Sequence, residues 1–298
     1  MSLPQKITTK EQVDALLDQY DNFLFDCDGV LWLGDHLLPH VVETLAFLKS
    51  KGKKLIFVTN NSTKSRENYL KKFEKFGVKG ITKSDIFGSA YATAVYLDKV
   101  MKFDHTKKVW VLGGQGVHDE LTELGIQSIG GTDPELDKPF SDDSKFLKLD
   151  PEVGAVIAGL DTSINYHRLS ITLQYLLDPN VIFMATNIDS TFPSHGKILP
   201  GAGSIIESAI YSSGRQPTVC GKPNMNLLKA IQAEHNLNLE RSIMVGDRLN
   251  TDMKFGKDGG LGTLLVLTGI ETEANVLKQD GTPKYYADKL GDLYELQK

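Results

Sequence analysis

The sequence predicts an α/β fold with largely parallel sheet, and three observations carry that expectation. Short apolar, β-branched runs alternate along the chain with amphipathic segments of helical period. The runs are apolar almost throughout, as expected of strands covered by helices on both faces. Several of them lead straight into a polar or glycine-rich cluster, and ligands of parallel α/β sheets bind at the carboxyl ends of strands. In chain order, strands are expected at 23–25 (Phe-Leu-Phe), 54–58, 109–112 (Val-Trp-Val-Leu), 153–158, 181–184, 242–245 and 263–267. Helices are expected between them at 41–51, 65–76, 90–101, 166–177 and 225–235, where apolar residues recur at helical spacing. The charged, turn-rich stretch 132–150 reads as a surface loop.

Composition narrows the function classes. The 298 residues are 41% hydrophobic, 8% aromatic and 24% charged, an ordinary globular balance. At this length two domains, or a core with an inserted one, are expected. Lys+Arg 33 against Asp+Glu 38 leaves a net charge of −5 with no basic block, which argues against nucleic acid or an anionic membrane as partner. No run approaches the ~18 apolar residues of a membrane span, and residues 1–10 lack the apolar stretch of a signal peptide. Cys27 and Cys220 do not make a disulfide framework, so a reducing, cytoplasmic setting is expected.

Three strand ends carry the acids, hydroxyls and amides, pointing to one shared polar site. Phe25 runs into Asp26-Cys27-Asp28-Gly29, where two carboxylates at i and i+2 repel unless a cation or donors lie between them. The pair is either a nucleophile with its acid/base partner beside a divalent cation or a solvated turn, since Asp and Gly are ordinary turn residues. Val245 runs into Gly246-Asp247-Arg248, placing Asp247 where a hard cation seeks oxygen ligands. Asp252, five residues on, fits either the same site or a helix N-terminus, which favours acids anyway. Val58 runs into Thr59-Asn60-Asn61-Ser62-Thr63, a cluster that suits phosphate binding at a helix start and equally helix capping. Lys222 precedes Pro223 at the head of a helical run, the wrong end for a cation unless an anion is bound there; an exposed turn lysine is the simpler alternative. Gly113-Gly114-Gln115-Gly116 lacks the third glycine of a dinucleotide fingerprint and reads as a tight turn. His167 and His195 read as surface or supporting residues, and Cys27, between two carboxylates, as an inert buried thiol.

Taken in order, DCDGV from Asp26, VTNNS around Thr59, GKP around Lys222 and GDRLNTD around Asp247 resemble the four signatures of haloacid-dehalogenase-type phosphatases. The longer strings FLFDCDGVLWLG, FVTNNSTKSR, TNIDSTFP and PGAGS resemble the 4-nitrophenylphosphatase group, whose relatives include pyridoxal-phosphate and phosphoglycolate phosphatases. The resemblance implies a Rossmannoid catalytic core from residues 1–88 and 216–298, with 89–215 inserted as an α/β cap. It implies that Asp26 attacks phosphorus to give an aspartyl-phosphate while Asp28 serves as acid and base. It further implies Mg²⁺ held by Asp26, the Asp28 carbonyl and Asp247, with Asp252 orienting these ligands. Lys222, Thr59, Asn60 and Asn61 are the implied phosphate-binding residues.

Substrate choice is expected from the cap loop bearing Asp189 and Phe192. Phe192 stands where related pyridoxal-phosphate phosphatases place a histidine, which favours small phosphoacids such as 2-phosphoglycolate over pyridoxal phosphate. The expected partners are thus small phosphorylated metabolites, and a homodimer through the cap. Pyridoxal phosphate hydrolysis, a catalytically silent phosphate-binding protein, and mutase or dehalogenase chemistry are the alternatives. The presence of Asp26, Asp28, Lys222 and Asp247 together opposes the silent reading.

Overall fold

The computed structural model describes residues 3–194, 197–278 and 282–298. The chain divides into two compact units. The first holds the chain up to Thr59, Tyr69–Phe87 and everything from His235 onward; the second holds Asn60–Asn68 and Gly88–Glu234. In chain order the strands are β1 (Gln5–Lys6), β2 (Asn22–Phe25), β3 (Trp32–Leu33), β4 (His36–Leu37), β5 (Lys54–Thr59), β6 (Ile86–Gly88), β7 (Lys108–Leu112) and β8 (Ser128–Gly130). They continue as β9 (Val153–Ala158), β10 (Ile182–Ala185), β11 (Thr191–Ser194), β12 (Lys197–Pro200), β13 (Thr218–Val219), β14 (Ser242–Gly246), β15 (Gly262–Val266) and β16 (Tyr285–Ala287).

The first unit is built on a seven-stranded sheet of order β1-β16-β15-β14-β2-β5-β6. The pairings from β1 through to β5 are all parallel. The central strands are buried along both faces, which is why they read as unbroken apolar runs. An aromatic stack fills one side: Phe25 lies 5.8 Å from Phe57, Phe57 lies 4.6 Å from Phe73, and Trp32 packs on Phe73 at 5.2 Å between ring centres. Each such ring, fully buried, stabilises the unit by about 1.5–3 kcal/mol. The chain leaves β2 toward β5 on one side, and β14 lies on the other side of β2. That reversal opens a crevice at the carboxyl ends of β2 and β14.

The second unit carries a five-stranded parallel sheet of order β13-β10-β9-β7-β8 and an antiparallel hairpin, β11–β12. Trp110 is its largest buried side chain, donating its indole N–H to Thr172 Oγ1 at 2.9 Å while packing on Tyr175. Pairing of Ala185 with Val219 sets the segments that follow β10 and β13 side by side.

The α/β class and every expected strand are present, with ends shifted by a residue or so. The expected helices form as Val41–Ser50, Arg66–Lys75, Ser89–Val95, Tyr166–Leu176 and Met225–Glu234. The third of these passes into a wide turn, with Met101 N–H donating to Tyr96 O five residues back. Residues 132–150 contain only two short 3₁₀ turns, Pro134–Asp137 and Lys145–Leu147. Gly113–Gly116 is not a bare tight turn: Gly114 is the N-cap of the helix Gln115–Glu123. Among the described residues, no helix is long and apolar enough to cross a membrane.

Candidate active site

The first unit brings four of the expected residues to the ends of adjacent strands. Phe25 pairs with Val245, so Asp26 and Asp247 emerge beside one another, and Asp26 N–H donates to Val245 O at 2.8 Å. Ligand atoms of Asp26, Asp247 and Asp252 all lie within 4.8 Å of one another. Asp247 is only 2% exposed and Asp252 1%. Asp252 Oδ2 accepts the backbone N–H groups of Asp247 (3.2 Å) and Arg248 (3.1 Å), so this carboxylate fixes the turn that presents Asp247. Asp247 Oδ2 also accepts Ile270 N–H at 3.2 Å.

Asp28 follows on the same loop, and its Oδ1 accepts the indole N–H of Trp32 at 2.9 Å. The loop folds back tightly, with Gly29 N–H donating to Trp32 O at 2.8 Å. Gly29 has φ +92°, and a Cβ there would lie 2.5 Å from Asp247 Oδ2, so only glycine lets the loop pass this close. Thr59 ends β5, buried, with its hydroxyl 3.5 Å from the Tyr69 hydroxyl. Burial, with Asp28 and other nearby charges adding to it, pushes the Tyr69 phenol well above its ordinary value. Tyr69 therefore remains a neutral hydrogen-bonding group there.

A second cluster forms in the second unit from Asn60, Asn187, Asp189 and Lys222. Asn60 Oδ1 accepts Lys222 N–H at 2.7 Å, and Asn60 Nδ2 donates to Lys222 O at 3.0 Å. The same Nδ2 reaches both carboxylate oxygens of Asp189, at 3.2 and 3.1 Å. Asn60 O accepts Asn187 Nδ2 at 2.8 Å and Ser89 Oγ at 2.6 Å. Lys222 is 3% exposed, unusual for a lysine and contrary to the simple surface-turn alternative. Asn61 Oδ1 accepts both the backbone N–H and the hydroxyl of Thr63 at 2.9 Å, closing the turn before the helix. Phe192 sits half-buried in β11 opposite Leu199.

Residues 23–127 match the haloacid dehalogenase-like hydrolase model, and residues 219–293 match an HAD-hydrolase-like one. The 4-nitrophenylphosphatase of Schizosaccharomyces pombe is 45% identical, covering 98% of this chain and 99% of that one. The chain belongs to the haloacid dehalogenase-like hydrolases. Phosphoglycolate phosphatase 2 of Arabidopsis thaliana is 41% identical over 98% of both chains. The crystal structure of the 4-nitrophenylphosphatase of Thermotoga maritima superposes with a TM-score of 0.78 at 30% identity, covering 95% of this chain and 99% of that one. Within the hydrolase family the chain is a phosphoric monoester hydrolase.

Some residues of consequence carry no signal in the sequence. Trp32 holds Asp28 although it lies only four residues on, because an apolar strand residue gives no sign of where its N–H points. Arg66, 7% exposed, donates from Nε and from its backbone N–H to Glu120, and its guanidinium lies 3.3 Å from the centre of the Tyr91 ring. This bracket ties segment 60–68 to the helices of its own unit. His167 is buried, hydrogen-bonded to Ser144 Oγ and Lys138 O, and so supports the 132–150 loop. His195 lies outside the described residues. Both cysteines are buried, and burial pushes the Cys220 thiol up to about 12.

Proposed function

We propose that this hydrolase acts on small phosphomonoesters, 2-phosphoglycolate-like phosphoacids among them, with Asp26 as nucleophile, Asp28 as general acid and base, and Mg²⁺ as cofactor. The observation that carries the reading is the convergence of Asp26, Asp247 and Asp252 within 4.8 Å at neighbouring strand ends. Three carboxylates so close, two of them buried, repel one another unless a cation or hydrogen-bond donors offset their charge, and a divalent cation does so most fully. All are hard oxygen donors, which fits Mg²⁺. Asp26, Asp247 and the Asp28 carbonyl are the assigned ligands, with Asp252 orienting Asp247 through the turn it caps. When bound, the cation screens the charge between nucleophile and phosphate.

In the proposed reaction an Asp26 carboxylate oxygen forms a bond to phosphorus as the bond to the ester oxygen breaks. Asp28, in its protonated form, gives its proton to the departing oxygen. Water then attacks the aspartyl-phosphate, Asp28 takes its proton, and inorganic phosphate leaves with the Asp26 carboxylate restored. Trp32 orients Asp28 for both transfers. Thr59, Lys222 and the N–H groups of the segment from Asn60 hold the phosphate oxygens, where positioning and electrostatics dominate catalysis. The core from 1–88 and 216–298 with a cap from 89–215, substrate selection by Asp189 and Phe192, and a cap-mediated homodimer belong to the same reading. Two buried cysteines suit a reducing, cytoplasmic setting.

The test is phosphate release from 4-nitrophenyl phosphate, 2-phosphoglycolate, pyridoxal phosphate and a sugar phosphate, each with Mg²⁺ and with EDTA. Mg²⁺-dependent release led by 2-phosphoglycolate is expected. Pyridoxal phosphate in first place overturns the substrate assignment, and release undiminished by EDTA overturns the cofactor. Asp26→Asn is expected to abolish turnover while leaving the fold intact. Retention of more than about a tenth of wild-type activity removes Asp26 as nucleophile, since losing one raises the barrier by several kcal/mol.

A further inference from the structure

Asn60 is the most heavily engaged side chain of the second-unit cluster, and its engagement is chemically unambiguous. Lys222 N–H can only donate and the Asp189 carboxylate accepts, so the amide has one orientation: Oδ1 toward Lys222 N and Nδ2 toward Lys222 O and Asp189. Both Nδ2 protons and one Oδ1 lone pair are therefore used within the protein. The two bonds to Lys222 form a clamp on a single residue, matching its N–H and C=O as a neighbouring strand would. The backbone carbonyl of Asn60 is held in turn by Asn187 and Ser89. The clamp is thus anchored at both ends.

We propose that Asn60 is a positioning residue: its side-chain amide fixes the backbone of Lys222, and hence the origin of the ammonium, instead of contacting the substrate phosphate. The proposal rests on the phosphatase reading above and on Lys222 as a phosphate-binding cation. A lysine side chain is long and flexible, so where its ammonium can reach depends on how firmly its Cα is held. No other residue type satisfies this geometry. Asn60→Asp sets a carboxylate oxygen against Lys222 O and Asp189 in place of two donors. Asn60→Gln makes the side chain a methylene too long, and Asn60→Ala leaves the Lys222 N–H and C=O without this partner.

A double-mutant cycle tests the inference, using Asn60→Ala, Lys222→Met and the pair, each read by inorganic phosphate binding in calorimetry and by kcat and KM on 4-nitrophenyl phosphate. Asn60→Ala alone is expected to weaken phosphate binding and to lower kcat/KM by about a hundredfold, the loss expected of a misplacement of about 1 Å. In the Lys222→Met background the same change is expected to cost less than about twofold, because the group that Asn60 serves is already gone. Losses that multiply across the cycle overturn the proposal and make Asn60 a direct phosphate ligand or a general structural residue. A fall in melting temperature that accounts for the loss also overturns it. Asn60→Asp separates the clamp from the space it fills: it is expected to be at least as damaging as Asn60→Ala, and wild-type phosphate affinity in Asn60→Asp refutes the clamp. Calorimetry needs no turnover, so a wrong assignment of Asp26 does not disturb the cycle. If the wild-type protein itself neither binds nor releases phosphate, the phosphatase reading fails and not the clamp.

Discussion

Gly29→Ala isolates how closely the loop that follows β2 must pass Asp247. A Cβ at this position lies 2.5 Å from Asp247 Oδ2 and 2.7 Å from its Cγ, whereas real Cβ contacts essentially never fall under 3.0 Å. Loop and carboxylate must therefore separate by at least about 0.5 Å, and the same Oδ2 is held from another direction by Ile270 N–H. Left-handed backbone at φ +92° adds about 1–2 kcal/mol of strain for a residue with a side chain. Since a misplacement of about 1 Å costs about a hundredfold, kcat should fall by about 10- to 100-fold, or about 1.4–2.7 kcal/mol. Gly34→Ala is the control, because Gly34 has φ +57° with nothing within 4 Å of its Cβ position. It carries similar strain without the clash, so it should lose stability and keep activity. Phosphate release from 4-nitrophenyl phosphate across a Mg²⁺ titration, with melting temperatures alongside, separates the two effects. Gly29→Ala should also need more Mg²⁺ for half-maximal rate. If it loses no more activity than Gly34→Ala, Asp247 is not where the chemistry needs it, and the reasoning fails.

Two further outcomes concern other parts of the molecule. Arg66→Met strands the Glu120 carboxylate, which is 2% exposed, and should destabilise the protein by about 3–5 kcal/mol in urea unfolding. Burial already pushes the Glu120 carboxyl above its ordinary value near 4.5, against the pull of Arg66. A carboxyl raised in the fold contributes stability below its unfolded value that is lost as pH rises through the folded one. The deficit of Arg66→Met should therefore shrink at pH 5 relative to pH 8, and an equal deficit at both would show that Glu120 is not the stranded charge. Phe192→His should reorder the substrate ranking more than it changes the rate on 4-nitrophenyl phosphate; an unchanged ranking would assign selection to another loop.

The features legible in the sequence are those whose signal is local. Strands β2, β5, β9 and β14 are apolar on both faces, and burial by helices leaves that mark in any short window. Two-residue strands such as β1 and β13 are too short for any periodicity, and their pairing depends on partners far along the chain. The helix Lys10–Gln19 does carry a local signal, a Thr9–Gln12 capping box, yet it is absent from the expected helices. Asn60 shows the opposite limit. Its type suits a helix cap or a phosphate loop, but its side-chain partners lie 129 and 162 residues away, and no spacing rule reaches them. Arg66 and Glu120, 54 apart, are hidden for the same reason.

The carboxylate pair at Asp26 and Asp28 illustrates how topology supplies neighbours that the local sequence does not show. By themselves two acids before a glycine describe a solvated turn as well as a reactive loop. The sheet order fixes where the pair lies, because β2 is flanked by β5 on one side and β14 on the other, and the chain diverges at the carboxyl ends of β2 and β14. The residues after Phe25 must meet those after Val245, since Phe25 and Val245 are in register. The meeting is fixed by pairing and does not depend on the residues intervening in sequence. Both emerging segments are acidic, and Asp252 holds Asp247 in place through two backbone N–H groups. Asp247 and Asp252 are therefore the residues that complete the acidic cluster around Asp26.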